Sequence, residues 1–374
     1  MYSPDAPTLS ICHGTDRPRK ADTAVAAAPS APVQSFLGYF QRLQLVSSDE
    51  LNRFQQKRRE LCAQDKAEDV GIAMVEEGLL TQYQLDRILA GTTYGLTVGN
   101  YRVVDRLGAG GMGIVFKARH IFMRRLVALK VLPLDDDCPS QQLNRFYAEV
   151  QVQAELHHRN IVMAYDAGKH VPDAGGYPAL LYLTMELVDG CDLEHYLADN
   201  GPVPIGLACE WIRQVACGLQ QAHERHLIHR DIKPSNMLMT KEGVVKLSDF
   251  GLVRRFSSCM TDPNALLGTI QFMAPEQSLD AANVSSSADI FALGASLFWL
   301  LTGKSAYAQG QKLSEAVHNL RHTSARLLRA YCPEAPKELE DLLKNLLHRD
   351  PTRRPLLAQS VMNALEPFAD ASAA

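Results

Sequence analysis

A mixed α+β architecture, preceded by a small all-α module, is what this sequence predicts, and three observations carry the prediction. Short apolar runs of strand character, broken by glycine turns, fill the stretch between residues 101 and 185. Further on the pattern turns helical, with residues 208–224 amphipathic and residues 290–301 almost wholly apolar. Strands gathered in one region and helices in another indicate α+β. Residues 34–95, in contrast, carry helical spacing alone. The composition is that of an ordinary globular protein: 374 residues, 46% hydrophobic and 21% charged. A net charge of −4 and a pI near 6.3 give no general attraction to nucleic acid or an anionic membrane, so neither is an expected partner. Eight cysteines run from Cys12 to Cys332 without a C-x-x-C pair, which fits a reducing cytoplasm. The opening MYSPDAPTLS lacks the basic-then-apolar order of a signal peptide, and residues 290–301 fall short of the ~20 residues that span a bilayer. A soluble, cytoplasmic protein is expected.

Residues 1–33 are rich in Pro, Ala, Ser, Asp and Thr and read as a disordered tail. From Gln34 the apolar spacing predicts four short helices. Phe36, Leu37, Phe40 and Leu43 mark the first. Ser47 with Glu50 is a capping-box candidate opening the second, which carries Leu51 and Phe54. Val70, Ala73 and Met74 mark the third, which stops at Gly78, and Thr81 caps a fourth with Leu85, Ile88 and Leu89. LVSSDELNRF from Leu45 aligns with LLTQYQLDRI from Leu79, an offset of 34 residues (79 − 45). Two helix–turn–helix copies would pack on each other, since neither alone buries its apolar face. The module is either a packed spacer or a surface for docking, self-association or autoinhibition. It holds no catalytic grouping, so a chain beginning near Thr97 is expected to remain active.

Leu107 to Val115 reads LGAGGMGIV, a G-x-G-x-x-G-x-V pattern. A dinucleotide-binding turn would lead from the glycines into a helix. Ile114, Val115 and Phe116 continue as a strand instead, so Gly108, Gly110 and Gly113 occupy a hairpin tip where bare backbone can approach phosphate. Strand alternation over residues 127–130 sets Ala128 and Lys130 on one face. A helical stretch over 141–156 carries Glu149, and 180–185 is an apolar strand. The most informative segment is HRDIKPSNMLMTKEGVVKLSDFG, from His229 to Gly251. Its two apolar runs, around Lys-Glu-Gly, read as a β-hairpin that returns two polar clusters to one end of a sheet. Asp231, Asn236 and Asp249 then share a small volume. Hard oxygen donors gathered in that way favour Mg²⁺ held together with substrate phosphates.

These motifs resemble those of the protein kinases. HRDIKPSN is similar to the catalytic loop of that family and Asp249-Phe-Gly251 to its magnesium-binding motif. Met273-Ala-Pro-Glu276 and Asp350-Pro-Thr-Arg-Arg-Pro355 resemble its two later signatures. The resemblance covers about residues 101–358 and implies a two-lobed kinase fold, β-rich over 101–188 and helical over 189–358, with 359–374 as a tail. Lys233, two residues after Asp231, together with Gly268-Thr269, is similar to the eukaryotic-like serine/threonine branch, bacterial type.

The resemblance implies the following roles. Asp231 is the base for a protein hydroxyl, Lys233 neutralises charge on the transferred phosphate, and Asn236 and Asp249 hold Mg²⁺. Lys130 pairs with Glu149 and holds the α- and β-phosphates of ATP. Adenine meets the hinge backbone at Glu186 and Val188, between Leu107, Val115 and Ala128 on one side and Leu238 on the other, with Met185 as gatekeeper. Asp192 either meets ribose or a basic substrate residue, or opens a helix. Asp289 ties down the catalytic-loop backbone, and Arg354 pairs with Glu276. Thr261 is either an autophosphorylated switch answering Arg230, or the start of a turn. The tandem His157-His158 reads as turn chemistry. One departure stands out: Gln153, one turn past Glu149, occupies a position the family packs with an apolar residue. The rival function, a pseudokinase scaffold, would be marked by a lost Lys, Asp or Asn, and none is lost.

Overall fold

The computed structural model describes residues 33–63, 66–110, 113–134, 140–172, 176–250, 270–280, 284–310 and 312–370. The chain forms two compact units. Among the described residues one comprises 33–140 and Tyr165–Leu187, and the other comprises Gln141–Ala164 and 188–370. No described helix is long and apolar enough to cross a membrane.

The first unit opens with five helices: α1 (Val33–Arg42), α2 (Ser48–Lys57), α3 (Arg59–Ala63), α4 (Ala67–Glu76) and α5 (Gln82–Leu89). Four match the predicted periodicities, and α3 is a short addition that buries no residue of its own. Ser47 and Thr81 both cap as the sequence suggests, each with a complete capping box. Phe36, Phe40, Leu51, Phe54, Val70, Met74 and Leu85 form one apolar core. Gly71 lets α4 approach α5, since a Cβ there would stand 2.3 Å from Leu85 Cδ1.

A six-stranded sheet follows, in the order β1-β2-β3-β4-β6-β5, from β1 (Thr97–Val98), β2 (Tyr101–Gly110), β3 (Gly113–His120), β4 (Leu126–Leu134), β5 (Ala164–His170) and β6 (Ala179–Met185). β2 and β3 make the predicted glycine-tipped hairpin, closing at Gly110 opposite Gly113. The helices and this sheet share apolar packing: Tyr83 of α5 and Tyr94 lie against the cluster of Tyr101, Val103, Ala118 and Leu129. The first residues past the expected boundary are likewise held by the module. Leu96 is buried in the helical core, and the Thr97 hydroxyl donates to Leu43 O. A cut near Thr97 therefore passes through a packed interface.

The second unit holds α6 (Ser140–Ala154) and then a small sheet of β7 (Gly190–Asp192), β8 (Met237–Thr240) and β9 (Val245–Leu247). Helices α7 (Leu193–Asn200), α8 (Ile205–His223), α9 (Ser287–Thr302), α10 (Leu313–His322), α11 (Lys337–Leu346) and α12 (Ala358–Leu365) complete it. Its core is centred on α8 and α9, with Trp211, Ile212, Phe291 and Phe298 buried. Residues 359–370 correct the expected tail. They supply most of α12 and a 3-10 turn, and Ala358, Val361 and Leu365 bury a helical face at i, i+3 and i+7.

Arg354 and Glu276 pair as expected, with bidentate contacts of 2.6 and 2.8 Å. Further bonds from Arg354 to the carbonyls of His348, Ser287 and Arg349 satisfy the rest of the buried guanidinium. A buried ion pair needs this full set of partners to be tolerated.

Candidate active site

The polar cluster of the second unit grows from the turn between α8 and β8. Residues Pro234–Asn236 make one turn of 3-10 helix and deliver the chain to β8, which pairs with β9 as the predicted hairpin. Asp231 is 4% exposed. Its Oδ2 lies 3.0 Å from Lys233 Nζ and accepts from Asn236 Nδ2 at 3.2 Å. Asn236 Nδ2 also donates to Asp231 O at 2.7 Å. With its amide nitrogen engaged on Asp231, the Oδ1 of Asn236 faces away from that residue. Ser248, next to Asp249, donates through both its backbone N–H and its hydroxyl to Asn236 O. The hairpin thus joins the Asp231–Lys233–Asn236 cluster to the Asp249 turn.

Two residues here carry left-handed backbone, Arg230 at φ 66° and Asp249 at φ 58°. Such conformations are costly without glycine and persist where surrounding bonds over-determine them. At Arg230, Asp289 supplies those bonds as expected, accepting the N–H of His229 at 2.9 Å and of Arg230 at 2.8 Å. His223 Nε2 sits 2.8 Å from the same carboxylate, and Gln277 Nε2 donates to Arg230 O. Neither contact is legible in the sequence, because His223 and Asp289 stand 66 residues apart, Gln277 and Arg230 47, and no local motif links either pair.

His229 is wholly buried and its tautomer follows from its bonds. The Asp231 N–H donates to Nδ1 at 3.2 Å, so Nδ1 is bare, and Nε2–H donates to Ser248 O at 2.8 Å. Burial pushes the imidazole pKa down, and the Asp289 charge opposes that shift only in part. The ring is neutral and lies 4.7 Å from Phe250.

The remaining candidates of this unit are more dispersed. Leu238 pairs with Asp192 across β7 and β8, and Val188 is half-buried. Asp192 is the N-cap of α7, accepting the His195 N–H at 2.9 Å, which realises the helix-opening alternative. Glu149 lies half-buried on α6. Gln153 is 2% exposed, and its Oε1 meets no donor among the described residues, so the departure noted in sequence is a buried polar group. The His158 ring accepts the Asn160 N–H, a turn role as expected. Thr261 and Thr269 lie outside the described residues.

In the first unit Val115 and Lys130 are direct cross-strand partners, and Ala128 opposes Met185. Lys130 is 5% exposed, so the lysine is a buried group rather than a solvated strand end. Leu107 is 51% exposed beside Gly108 at the hairpin, and Glu186 is half-buried just past β6. Gly113 has φ 114°, and a Cβ there would fall 2.5 Å from Val131 O, so no other residue fits without moving backbone.

A family model described as "Protein kinase domain" matches residues 101–365. The serine/threonine-protein kinase PrkC of Bacillus subtilis (strain 168) is 33% identical over 257 residues, covering 68% of this chain and 38% of PrkC. The serine/threonine-protein kinase PknA of Mycobacterium tuberculosis is 33% identical over 277 residues, covering 74% of this chain and 61% of PknA. The chain therefore spans about two-fifths to three-fifths of the length of these relatives. Among solved structures, the PknI kinase domain of Mycobacterium tuberculosis superposes with a TM-score of 0.57 at 27% identity, covering 74% of this chain and 98% of that domain.

Proposed function

The chain belongs to the protein kinase family, and from that premise we propose that it transfers the γ-phosphate of ATP to serine and threonine hydroxyls of protein substrates. The observation that carries this reading is the Asp231–Lys233–Asn236 cluster. Lys233 and Asn236 both engage Oδ2 of Asp231, which orients the carboxylate and leaves Oδ1 to accept the proton of a substrate hydroxyl as it attacks phosphorus. The ammonium of Lys233, 3.0 Å away, balances charge on the group in transit. Lys130 serves the α- and β-phosphates and Glu149 orients that lysine, while the backbone of Gly108, Gly110 and Gly113 covers the phosphates. Leu107, Val115, Ala128 and Leu238 enclose the adenine, and the backbone at Glu186 and Val188 reads its edge.

The donor set suits Mg²⁺. The Asn236 Oδ1, turned away from Asp231, and the Asp249 carboxylate are two hard oxygens. Mg²⁺ is held by one or two such groups together with phosphate oxygens and water. When bound it neutralises phosphate charge. Autophosphorylation at Thr261 belongs to the same proposal on sequence grounds. A reducing cytoplasmic setting is also proposed, since Cys62, Cys209, Cys217 and Cys332 are free thiols.

The test is transfer of labelled phosphate from ATP to a generic protein substrate with Mg²⁺. Asp231→Asn should lower kcat by about 10²-fold or more, as loss of a general base does. An Asp231→Asn protein with near-native turnover removes the mechanism, and a wild-type protein that binds ATP without transfer supports a nucleotide-binding scaffold.

A further inference from the structure

Helix α5 meets strand β2 through the two residues of its own capping box. Thr81 Oγ1 accepts the Gln84 N–H at 3.2 Å, and Gln84 Oε1 accepts the Thr81 N–H at 2.9 Å. These bonds use the acceptor side of each group and leave the donors pointing outward. The Thr81 hydroxyl donates to Val104 O at 2.6 Å, and the Gln84 amide donates to Val103 O at 2.5 Å. Gln84 is 5% exposed, so this is an interior contact.

The two carbonyls belong to an irregular point of β2. Val103 pairs with Ala118 and Asp105 with Lys117, which leaves Val104 as an extra residue on its strand. A second shift follows between Arg106 and Gly108, immediately before the glycine tip. β1 pairs only with Tyr101 and Arg102, so it ends before the first bulge. From the other side Val103 N donates to Leu96 O, and Arg102 Nη1 donates to Leu45 O at 3.1 Å. The helical module therefore grips β2 across residues 102–104. Loss of this bulge would slip the later pairing by one residue and turn the side chains that follow to the opposite face. Leu107 and Gly108 stand only a few residues beyond.

We propose that Thr81 and Gln84 are positioning residues for nucleotide binding: the α5 capping box pins the β2 bulge and thereby fixes the register in which Leu107 and the glycine tip are presented to ATP. The proposal rests on the phosphotransfer reading above. It gives residues 34–95 a function within the nucleotide-binding unit, without contact to the nucleotide.

Full-length variants test it by separating the cap from the clamp. Thr81→Asp keeps an acceptor for the Gln84 N–H but has no hydrogen for Val104 O. Thr81→Ser keeps both. Gln84→Met removes the amide donor by a different route, together with the acceptor for the Thr81 N–H, should the aspartate disturb folding. In steady-state kinetics Thr81→Asp and Gln84→Met should raise the KM for ATP about three- to tenfold, the worth of one net hydrogen bond, with kcat and the protein-substrate KM within about twofold of wild type. Thr81→Ser should match wild type. An unchanged KM for ATP in both donor-free variants overturns the proposal. So does a joint fall of kcat and melting temperature with no selective change in that KM, which is a purely structural role. If wild-type protein transfers no phosphate, the phosphotransfer reading fails by itself. ATP affinity by calorimetry then decides the clamp: selective weakening in the donor-free variants sustains it, and equal affinities overturn it.

Discussion

The two halves of the N-terminal module open their second helices with the same device, yet only the second box hydrogen-bonds to the sheet. At α2, Ser47 and Glu50 satisfy each other: the Ser47 hydroxyl and backbone N–H both donate to Glu50 Oε2, at 2.6 and 3.0 Å. At α5, 34 residues on, Thr81 turns its hydroxyl outward to Val104 O and Gln84 adds an amide donor to Val103 O. A carboxylate can only accept, whereas an amide accepts with one atom and donates with another. The change from Glu50 to Gln84 is thus the chemical difference between a box that closes one helix and a box that also holds a strand. Repeats that cap identically in sequence need not serve the same purpose.

The strongest way to break this comparison is to remove the module. A truncation beginning at Thr97 strips the partners of Thr97, Arg102, Val103 and Val104 and uncovers the face packed by Tyr83 and Tyr94. Such a protein should lose phosphotransfer or fail to stay soluble. A soluble, fully active truncation would return the module to the role of a spacer. Next in size are the matched core leucines, Leu51 and Leu85, both fully buried. Either change to Ala should cost about 2–5 kcal/mol by denaturant unfolding. Only Leu85→Ala, on the clamping helix, should also raise the KM for ATP. Smaller still are the caps: Ser47→Ala and Thr81→Ala should each cost about 1 kcal/mol of stability. Only the second should alter ATP binding.

The smallest effect is one of pH. Hydrogen bonds from the Ser47 side chain and backbone hold the Glu50 carboxyl below the usual glutamate range. A lowered folded pKa stabilises above the unfolded value, about 4.3, and that contribution fades as pH falls through the folded value. Glu50 is half-buried and its partners lie at the surface, so the loss is slight. The Thr81–Gln84 box has no titrating group. Acid should therefore loosen the α2 start before the α5 start, read by amide exchange at Glu50 and Gln84 at pH values below 4.

The sequence displayed whatever is local. The hairpin of β8 and β9, both capping boxes and the glycine tip are each defined within a few residues, so their motifs are readable without the fold. Asp289 and Arg354 were reachable through family resemblance, and their bonds to His229, Arg230 and Glu276 match it. What escaped depends on distant pairing. His223 reaches Asp289 across 66 residues, and Gln277 reaches Arg230 across 47. The α12 stripe is only three residues long, Ala358, Val361 and Leu365, and the β2 bulge leaves no mark in composition. A glutamine in place of a glutamate at Gln84 was the one readable sign of the clamp, and it becomes meaningful only beside Val103.

A reciprocal exchange of the two box residues tests the central claim most directly. Glu50→Gln and Gln84→Glu are nearly isosteric and each preserves a capping acceptor, while Gln84→Glu alone deletes the donor to Val103 O. The measurement is the KM for ATP of the full-length protein at neutral pH. It should be unchanged in Glu50→Gln and raised in Gln84→Glu. Equal values in both variants would contradict a link between α5 and the nucleotide site.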